Sequence, residues 1–158
     1  MSSEQQVIEI TLEQTSDFEF RVRFDDTSIP DLMTDEAPPL GQGHGPNPSR
    51  MLAAAVANCL SASLLFALRK YKNDPQHLAA HARATLERNE HGRWRVARIG
   101  VELKMDSVEA DLSHLDRALA QFEDFCIVTQ SVRQGIPVDV SVRDGQGTLL
   151  HEVAKSMA

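Results

Sequence analysis

From Pro48 to Tyr71 the chain is apolar almost all round: Met51, Leu52, Val56, Leu60, Leu64, Leu65, Phe66 and Leu68 are interleaved with alanines, and no wide polar face is left. A helix of that kind has to be covered by other structure, which constrains everything placed around it. Its start is legible in Asn47 and Pro48, because asparagine accepts from an orphan amide at an N-cap and proline at the first helical position loses no needed donor. Arg69, Lys70 and Lys72 suit the negative end of the helix dipole, and Asn73, Asp74 and Pro75 stop it. Its alanines and serines also allow another backbone to approach closely.

The flanks of this helix read mainly as strands. Val7 to Gln14 and Phe18 to Phe24 predict a hairpin, with Phe18, Phe20, Val22 and Phe24 on one face of the second strand and Glu19, Arg21 and Arg23 on the other. Asp25 to Pro48 reads as one long irregular loop, carrying Pro30, Pro38, Pro39, Pro46 and Pro48 with Gly41, Gly43 and Gly45. Loops longer than about 12 to 15 residues usually line a site or are disordered. Leu78 to Arg88 alternates, Asn-Glu-His-Gly makes a turn, and Trp94 to Met105 forms a partner strand. The apolar phase of that strand slips after Val96, which predicts a bulge near Ala97 and Arg98. A second helical stripe runs through Leu112, Leu115, Leu119 and Phe122, with Cys126 close to it, and Val138, Val140 and Val142 mark a final strand. The order is strands, helix, strands, helix, strand, without a repeating βαβ unit. That predicts an α+β fold, and 158 residues suit one domain over 1–158.

Several function classes are disfavoured by composition and motif. No apolar run approaches the roughly 18 residues of a membrane span, and Met-Ser-Ser-Glu-Gln-Gln at the start is neither basic nor apolar, so a cytoplasmic location is expected. A net charge of -7 repels phosphate backbones and argues against nucleic acid as a partner. Gly-Gln-Gly-His-Gly-Pro-Asn-Pro lacks the lysine followed by serine or threonine that grips nucleotide phosphates, and reads as a tight turn feeding the helix. His77 and His81 on a strand lie roughly 13 Å apart, too far to share a metal ion, so no metal or cofactor is expected. No Ser/His/Asp set has a nucleophile-elbow context. Cys59 and Cys126 remain. In a reducing compartment a structural disulfide is not expected, and each alone reads as a small buried hydrophobe. Cys59 lies eleven residues beyond Pro48 (59 - 48), too deep in the helix for the dipole to activate it, so a neighbouring cation would have to stabilise its thiolate.

Two segments change that balance when taken together. GPNPSRMLAAAVANCLSASL and FEDFCIVTQSVRQGIPVDVSV, whose cysteines are 67 residues apart (126 - 59), resemble the two signature segments of the OsmC/Ohr family. The proline-rich DEAPPLGQG lead-in is similar to the OsmC-like branch of these thiol peroxidases. The resemblance implies an OsmC-like fold, in which long buried central helices are wrapped by antiparallel sheets in an intertwined homodimer with active sites at the subunit interface. It also implies an organic hydroperoxide reductase that needs no cofactor. Cys59 would be oxidised to a sulfenic acid and Cys126 would close a Cys59/Cys126 disulfide. An external dithiol, a lipoyl protein in the best-known members, would reopen it. Phe125, Ile127 and the Asp25 to Pro48 loop are the expected pocket lining. The family's activating arginine comes from the N-terminal strands, where Arg21 and Arg23 both qualify. Two positions depart from the pattern: Ser49 replaces a glutamate that orients this arginine, and Ile127 replaces a proline and is free to continue the preceding helix. Asp35 and Glu36 are the carboxylates expected to fold back and compensate for Ser49. The competing readings are a non-catalytic binder of small apolar ligands and a redox sensor that uses the same pocket.

Overall fold

A computed structural model describes residues 4–135, 140–143, 146 and 148–153. Its first sheet holds β1 (Ile10–Ser16), β2 (Glu19–Phe24) and β3 (Leu32–Thr34) in the order β1-β2-β3. The predicted hairpin forms antiparallel, with Ile10 opposite Phe24, Leu12 opposite Val22 and Gln14 opposite Phe20. Val22 is its buried centre. Pairing starts at Ile10 and not at Val7, because β2 ends at Phe24 and the next bond is a single one from the Asp25 amide to the Glu9 carbonyl at 3.2 Å. The Asp25 to Pro48 stretch is not wholly irregular: β3 pairs with β2 through Thr34 opposite Phe20 and Leu32 opposite Val22. A three-residue edge strand next to Pro30 owes its existence to its partner and not to its own propensity.

The long helix, α1 (Pro48–Lys70), begins and ends as predicted. Asn47 Oδ1 accepts from the Arg50 amide at 3.0 Å, an N-cap bond, and Arg69 and Lys70 occupy the last turn. Its expected burial is met on one face only. Val56, Leu60, Ser63, Leu64, Ala67 and Leu68 are buried, whereas Ala54, Ala55, Asn58, Ala62 and Phe66 are exposed along the opposite face. By length and hydropathy alone α1 could cross a membrane, since an 18-residue window averages 2.0. A count of consecutive apolar residues misses this because Asn58, Ser61 and Ser63 interrupt the run. Core helices pass the same test, and Leu64, Ala67 and Leu68 are packed into a core.

The hairpin β4 (Leu78–Arg88) and β5 (Trp94–Met105) has the predicted limits. Asn89 closes it, donating its amide to the Arg93 carbonyl at 2.9 Å and accepting on Oδ1 from the amides of His91 and Arg93 at 3.1 and 3.0 Å. Gly92 supplies the positive φ of 73° that the turn requires. In β5 the half-buried positions are Val96, then Ile99, Val101, Leu103 and Met105, so the apolar phase slips where the sequence places it.

The second helical stripe is broken, contrary to expectation. It comprises α2 (Leu115–Gln121), a 3-10 turn (Phe122–Phe125) and α3 (Ile127–Gln134), separated by Cys126 in an extended conformation. Ile127 therefore does not continue the earlier helix. It opens a new one, at the position where a missing amide costs nothing. The expected final strand is a hairpin, β6 (Val140–Arg143) with β7 (Leu149–Val153), while Val138 lies outside the described residues.

The chain groups into two compact units. Among the described residues, one holds those up to Ala57 together with His81–Glu102, and the other holds Asn58–Ala80 and those from Leu103 on. In the first, Val22 and Val56 are buried. The second has a core of Leu64, Ala67, Leu68 and Ala118, packed by Tyr71, Leu78, Leu103, Met105, Leu115 and Phe122.

Candidate functional site

Cys59 and Cys126 both belong to the second unit, and the fold brings them into contact. Cys59 is half-buried on α1, and Cys126 is wholly inaccessible between the 3-10 turn and α3. Both are reduced, and their side chains are hydrogen-bonded to each other. The turn that carries Cys126 is fixed to α1 by Phe125, which meets Phe66 edge to face at 5.2 Å between centroids, and by Lys70, which donates to Gln121 Oε1 at 3.4 Å. The Cys126 amide is satisfied by the Glu123 carbonyl at 3.1 Å, and φ and ψ of -85° and 91° aim its side chain at the start of α3. There Cys126 is the N-cap: its Sγ accepts from the Thr129 amide at 3.4 Å and lies 2.9 Å from Thr129 Oγ1. Thr129 is buried, and so is Ser63, one turn along α1 from Cys59, whose hydroxyl reaches both sulfurs.

The profile of the OsmC-like protein family matches residues 41–141, which include both cysteines. The chain belongs to the OsmC-like protein family. Among curated proteins no sequence is significantly similar. Solved structures share the fold at low identity. A hypothetical protein from Aquifex aeolicus VF5 has a TM-score of 0.64 at 19% identity, over 83% of this chain and 90% of its own. An organic hydroperoxide resistance protein OsmC from Legionella pneumophila has 0.58 at 16%, over 83% and 92%. The organic hydroperoxide resistance protein OhrB of Bacillus subtilis has 0.56 at 17%, over 81% and 91%.

The two sulfurs of this OsmC-like protein are electrostatically unequal. Burial pushes the Cys59 thiol up, and donation toward Cys126 pushes it further, against smaller opposing contributions from the Val128 amide and Ser63. Cys126 moves the other way. Burial opposes its ionisation, but the Thr129 hydroxyl, the Cys59 thiol, the Thr129 amide and Ser63 together outweigh it and hold its pKa below the ordinary thiol value. The named groups that solvate the sulfurs are amides, hydroxyls and the partner thiol, none of them a cation.

Arg21 and Arg23, the expected activating arginines, belong to the first unit, where Arg21 pairs with Asp31 at 3.9 Å and Arg23 with Glu13 and Asp25 at 3.8 and 3.7 Å. Asp35, an expected compensating carboxylate, is fully engaged by its own loop: Oδ1 accepts from the Glu36 amide at 2.8 Å, and Oδ2 from the amides of Gln42 and His44 at 3.0 and 3.1 Å. Glu36 Oε2 accepts from Asn47 Nδ2 at 3.5 Å. The glycine-rich turn is thus wrapped around a carboxylate of its own chain. Gly41 is required there because a Cβ would run into Asp35 Oδ1 and the Glu36 carbonyl. In the expected pocket lining, Thr34, Asp35 and Glu36 of this loop border a cavity of about 230 Å³ with Leu12, Phe18, Phe20 and Pro48, whereas Phe125 and Ile127 are exposed in the second unit.

A trio the sequence reading missed lies beside that cavity: Glu19, Asp35 and His44 bring ligand-type atoms within 4.8 Å of one another. Their atoms are already matched, Glu19 Oε2 to His44 Nδ1 at 3.0 Å and Oε1 to Thr15 Oγ1 at 2.7 Å, so the trio latches β2 to the loop. The Thr129 and Ser63 contacts were missed too, although the Cys-Ile-Val-Thr spacing is that of an N-cap and its third helical residue.

Proposed function

We propose that this OsmC-like protein is a thiol-dependent peroxidase that reduces organic hydroperoxides to alcohols in the cytoplasm, with Cys59 as the attacking sulfur and Cys126 as the resolving one. The observation that carries this reading is the direct hydrogen-bond contact of two reduced cysteines that are 67 residues apart (126 - 59). Half-buried Cys59 is the accessible member, and inaccessible Cys126 can act only on a neighbour. Cys59 sulfur takes the distal oxygen of the peroxide, becoming a sulfenic acid as the alcohol leaves. Cys126 sulfur then displaces hydroxide from it and closes a disulfide, and an external dithiol such as a lipoyl protein returns both to thiols. Two proteins that share the fold, both named organic hydroperoxide resistance proteins, support this substrate class.

The experiment is to add cumene hydroperoxide to the reduced protein and count free thiols, with and without dihydrolipoamide. Loss of both thiols with sustained peroxide consumption under the dithiol supports the enzyme. Loss without turnover identifies a redox sensor, and no loss leaves a binder of apolar ligands. The exposed Ala54, Ala55, Ala62 and Phe66 face of α1 leads us to propose a homodimer that covers it. A folded monomer in sedimentation at micromolar concentration would exclude that assembly.

A further inference from the structure

We propose that Thr129 is the positioning residue for disulfide closure: it holds Cys126 Sγ against Cys59 and thereby decides whether the Cys59 sulfenic acid is resolved or over-oxidised. This rests on the peroxidase reading and concerns its second step. Thr129 reaches the Cys126 sulfur twice. The Cys126 thiol donates to Thr129 Oγ1 at 2.9 Å, and the Thr129 amide donates to Sγ at 3.4 Å, which makes Cys126 the N-cap of α3. The χ1 of a free cysteine side chain samples several staggered wells. Two bonds that meet at its sulfur from one residue hold it in a single well.

The frame behind these bonds is fixed as well. Cys126 is wholly inaccessible and Thr129 is buried. The Cys126 amide donates to the Glu123 carbonyl at 3.1 Å, and Phe125 locks the preceding turn onto α1 through Phe66. Thr129 is β-branched, so its own χ1 is stiff and the place of its oxygen is set by the helix. A sulfur held from the α3 side therefore stays next to the helix that carries Cys59.

The sulfenic acid on Cys59 has two fates. In the first, Cys126 sulfur attacks Cys59 sulfur, the S–S bond forms, the S–O bond breaks, and the Cys126 proton leaves with the hydroxyl as water. Cys59 sulfur gains one electron there and Cys126 sulfur loses one. In the second, Cys59–SOH meets another hydroperoxide, takes its distal oxygen and becomes a sulfinic acid as the alcohol leaves, a two-electron oxidation that a dithiol does not reverse. The first fate is intramolecular, so its rate follows the fraction of time that Cys126 Sγ spends aligned with Cys59. The second rises with hydroperoxide concentration. Thr129 thus sets the concentration at which the protein begins to inactivate. Closure also removes the thiol hydrogen, so the bond to Thr129 Oγ1 ends with the step it serves.

The test follows the folded full-length chain after cumene hydroperoxide is added, with dimedone to trap the sulfenic acid and intact mass to count disulfide and sulfinic acid. Thr129→Val keeps the shape of the side chain and removes the hydroxyl. It slows closure roughly tenfold, as the loss of one hydrogen bond predicts, and lowers by the same factor the peroxide concentration that leaves half of the chains as sulfinic acid. Thr129→Ser returns the hydroxyl and restores both. Where Thr129→Val does not fold, Thr129→Ala carries the same comparison with Thr129→Ser. Closure at the wild-type rate without the hydroxyl would overturn the assignment. So would a first oxidation of Cys59 slowed as much as closure, since Thr129 would then act on the whole site. Diamide closes the disulfide without peroxide and separates the two readings. Slower closure by diamide in Thr129→Val, with every variant inert toward the hydroperoxide, would remove the peroxidase reading and support the positioning.

Discussion

Asp35 in the first unit and Cys126 in the second solve the same physical problem with opposite outcomes. Each is buried, each can carry a negative charge, and each accepts from backbone amides of the chain that follows it. Asp35 spends both oxygens on three amides of the turn it anchors, and the His44–Glu19 pair lies beside it. Its charge is consumed in shaping the loop. The partners of Cys126 include a second titratable sulfur, so its charge has somewhere to act. A buried anion surrounded by fixed donors is architecture, whereas one beside a proton source or an electrophile is chemistry.

The comparison breaks most visibly at Cys59. Cys59→Ser is expected to abolish peroxide consumption down to the uncatalysed background, while Cys126→Ser reacts once and then stalls or over-oxidises. Peroxide assays under a dithiol check this. If Cys59→Ser keeps the initial reaction and Cys126→Ser loses it, the two sulfurs have exchanged roles. The corresponding insult to the first unit is Gly41→Val, which forces a side chain into Asp35 and the Glu36 carbonyl and should cost about 1–3 kcal/mol in denaturant unfolding. Thiol titration should be left unaltered by it.

A smaller effect separates the two anions by pH. Burial pulls the Asp35 carboxyl up, but the amides of His44, Gln42 and Glu36 outweigh it and hold it below the ordinary carboxylate value. A depressed folded pKa contributes stability that is complete above the unfolded value and is lost as pH falls through the folded one. Asp35→Asn should therefore lower the melting temperature at neutral pH, and the gap from wild type should close under acid. A gap that stays constant to pH about 3 would mean that Asp35 acts by shape and not by charge.

Elements with strong local signals were legible in the sequence. Asn47-Pro48 marked the start of α1, and the alternation of Leu78 to Arg88 with its Asn89 turn marked the hairpin limits. Features decided by tertiary contact were not. β3 exists because β2 offers it an edge, and the stripe from Leu112 to Cys126 keeps helical spacing across a break that only backbone dihedrals reveal. The exposed face of α1 was not legible either, because apolar periodicity records what needs covering and not whether the rest of the chain covers it. The two cysteines stood out through family resemblance, while Thr129 and Ser63, ordinary residues for a helix start and a small-residue helix face, carry no such mark. The activating arginine and its carboxylate were expected by analogy, and in this chain Arg21, Arg23 and Asp35 are bonded within the first unit.

Ser49 gives the smallest expected effect and the sharpest separation of the two ways to activate a buried sulfur. It sits in the first turn of α1, which contains no acidic residue. A glutamate there interacts favourably with the unpaired amides at the positive end of the helix, so Ser49→Glu should raise stability by about 0.3–1 kcal/mol at low ionic strength, and added salt should screen the gain. Such a change is readable in denaturant midpoints. Its consequence for chemistry depends on where the thiolate gets its stabilisation. If hydroxyls and amides around the two sulfurs supply it, a new carboxylate in the first turn of α1 has no guanidinium to organise for the reaction, and the pH profile of single-turnover oxidation stays where it was. If activation depends on an arginine that a carboxylate holds in place through two charge-assisted bonds, Ser49→Glu should move that profile to lower pH and speed the neutral reaction. Combined with Thr129→Val the two steps separate. Disulfide closure stays as slow in the double variant as in Thr129→Val in either case, whereas the first oxidation outpaces that of Thr129→Val only where a held arginine activates the sulfur.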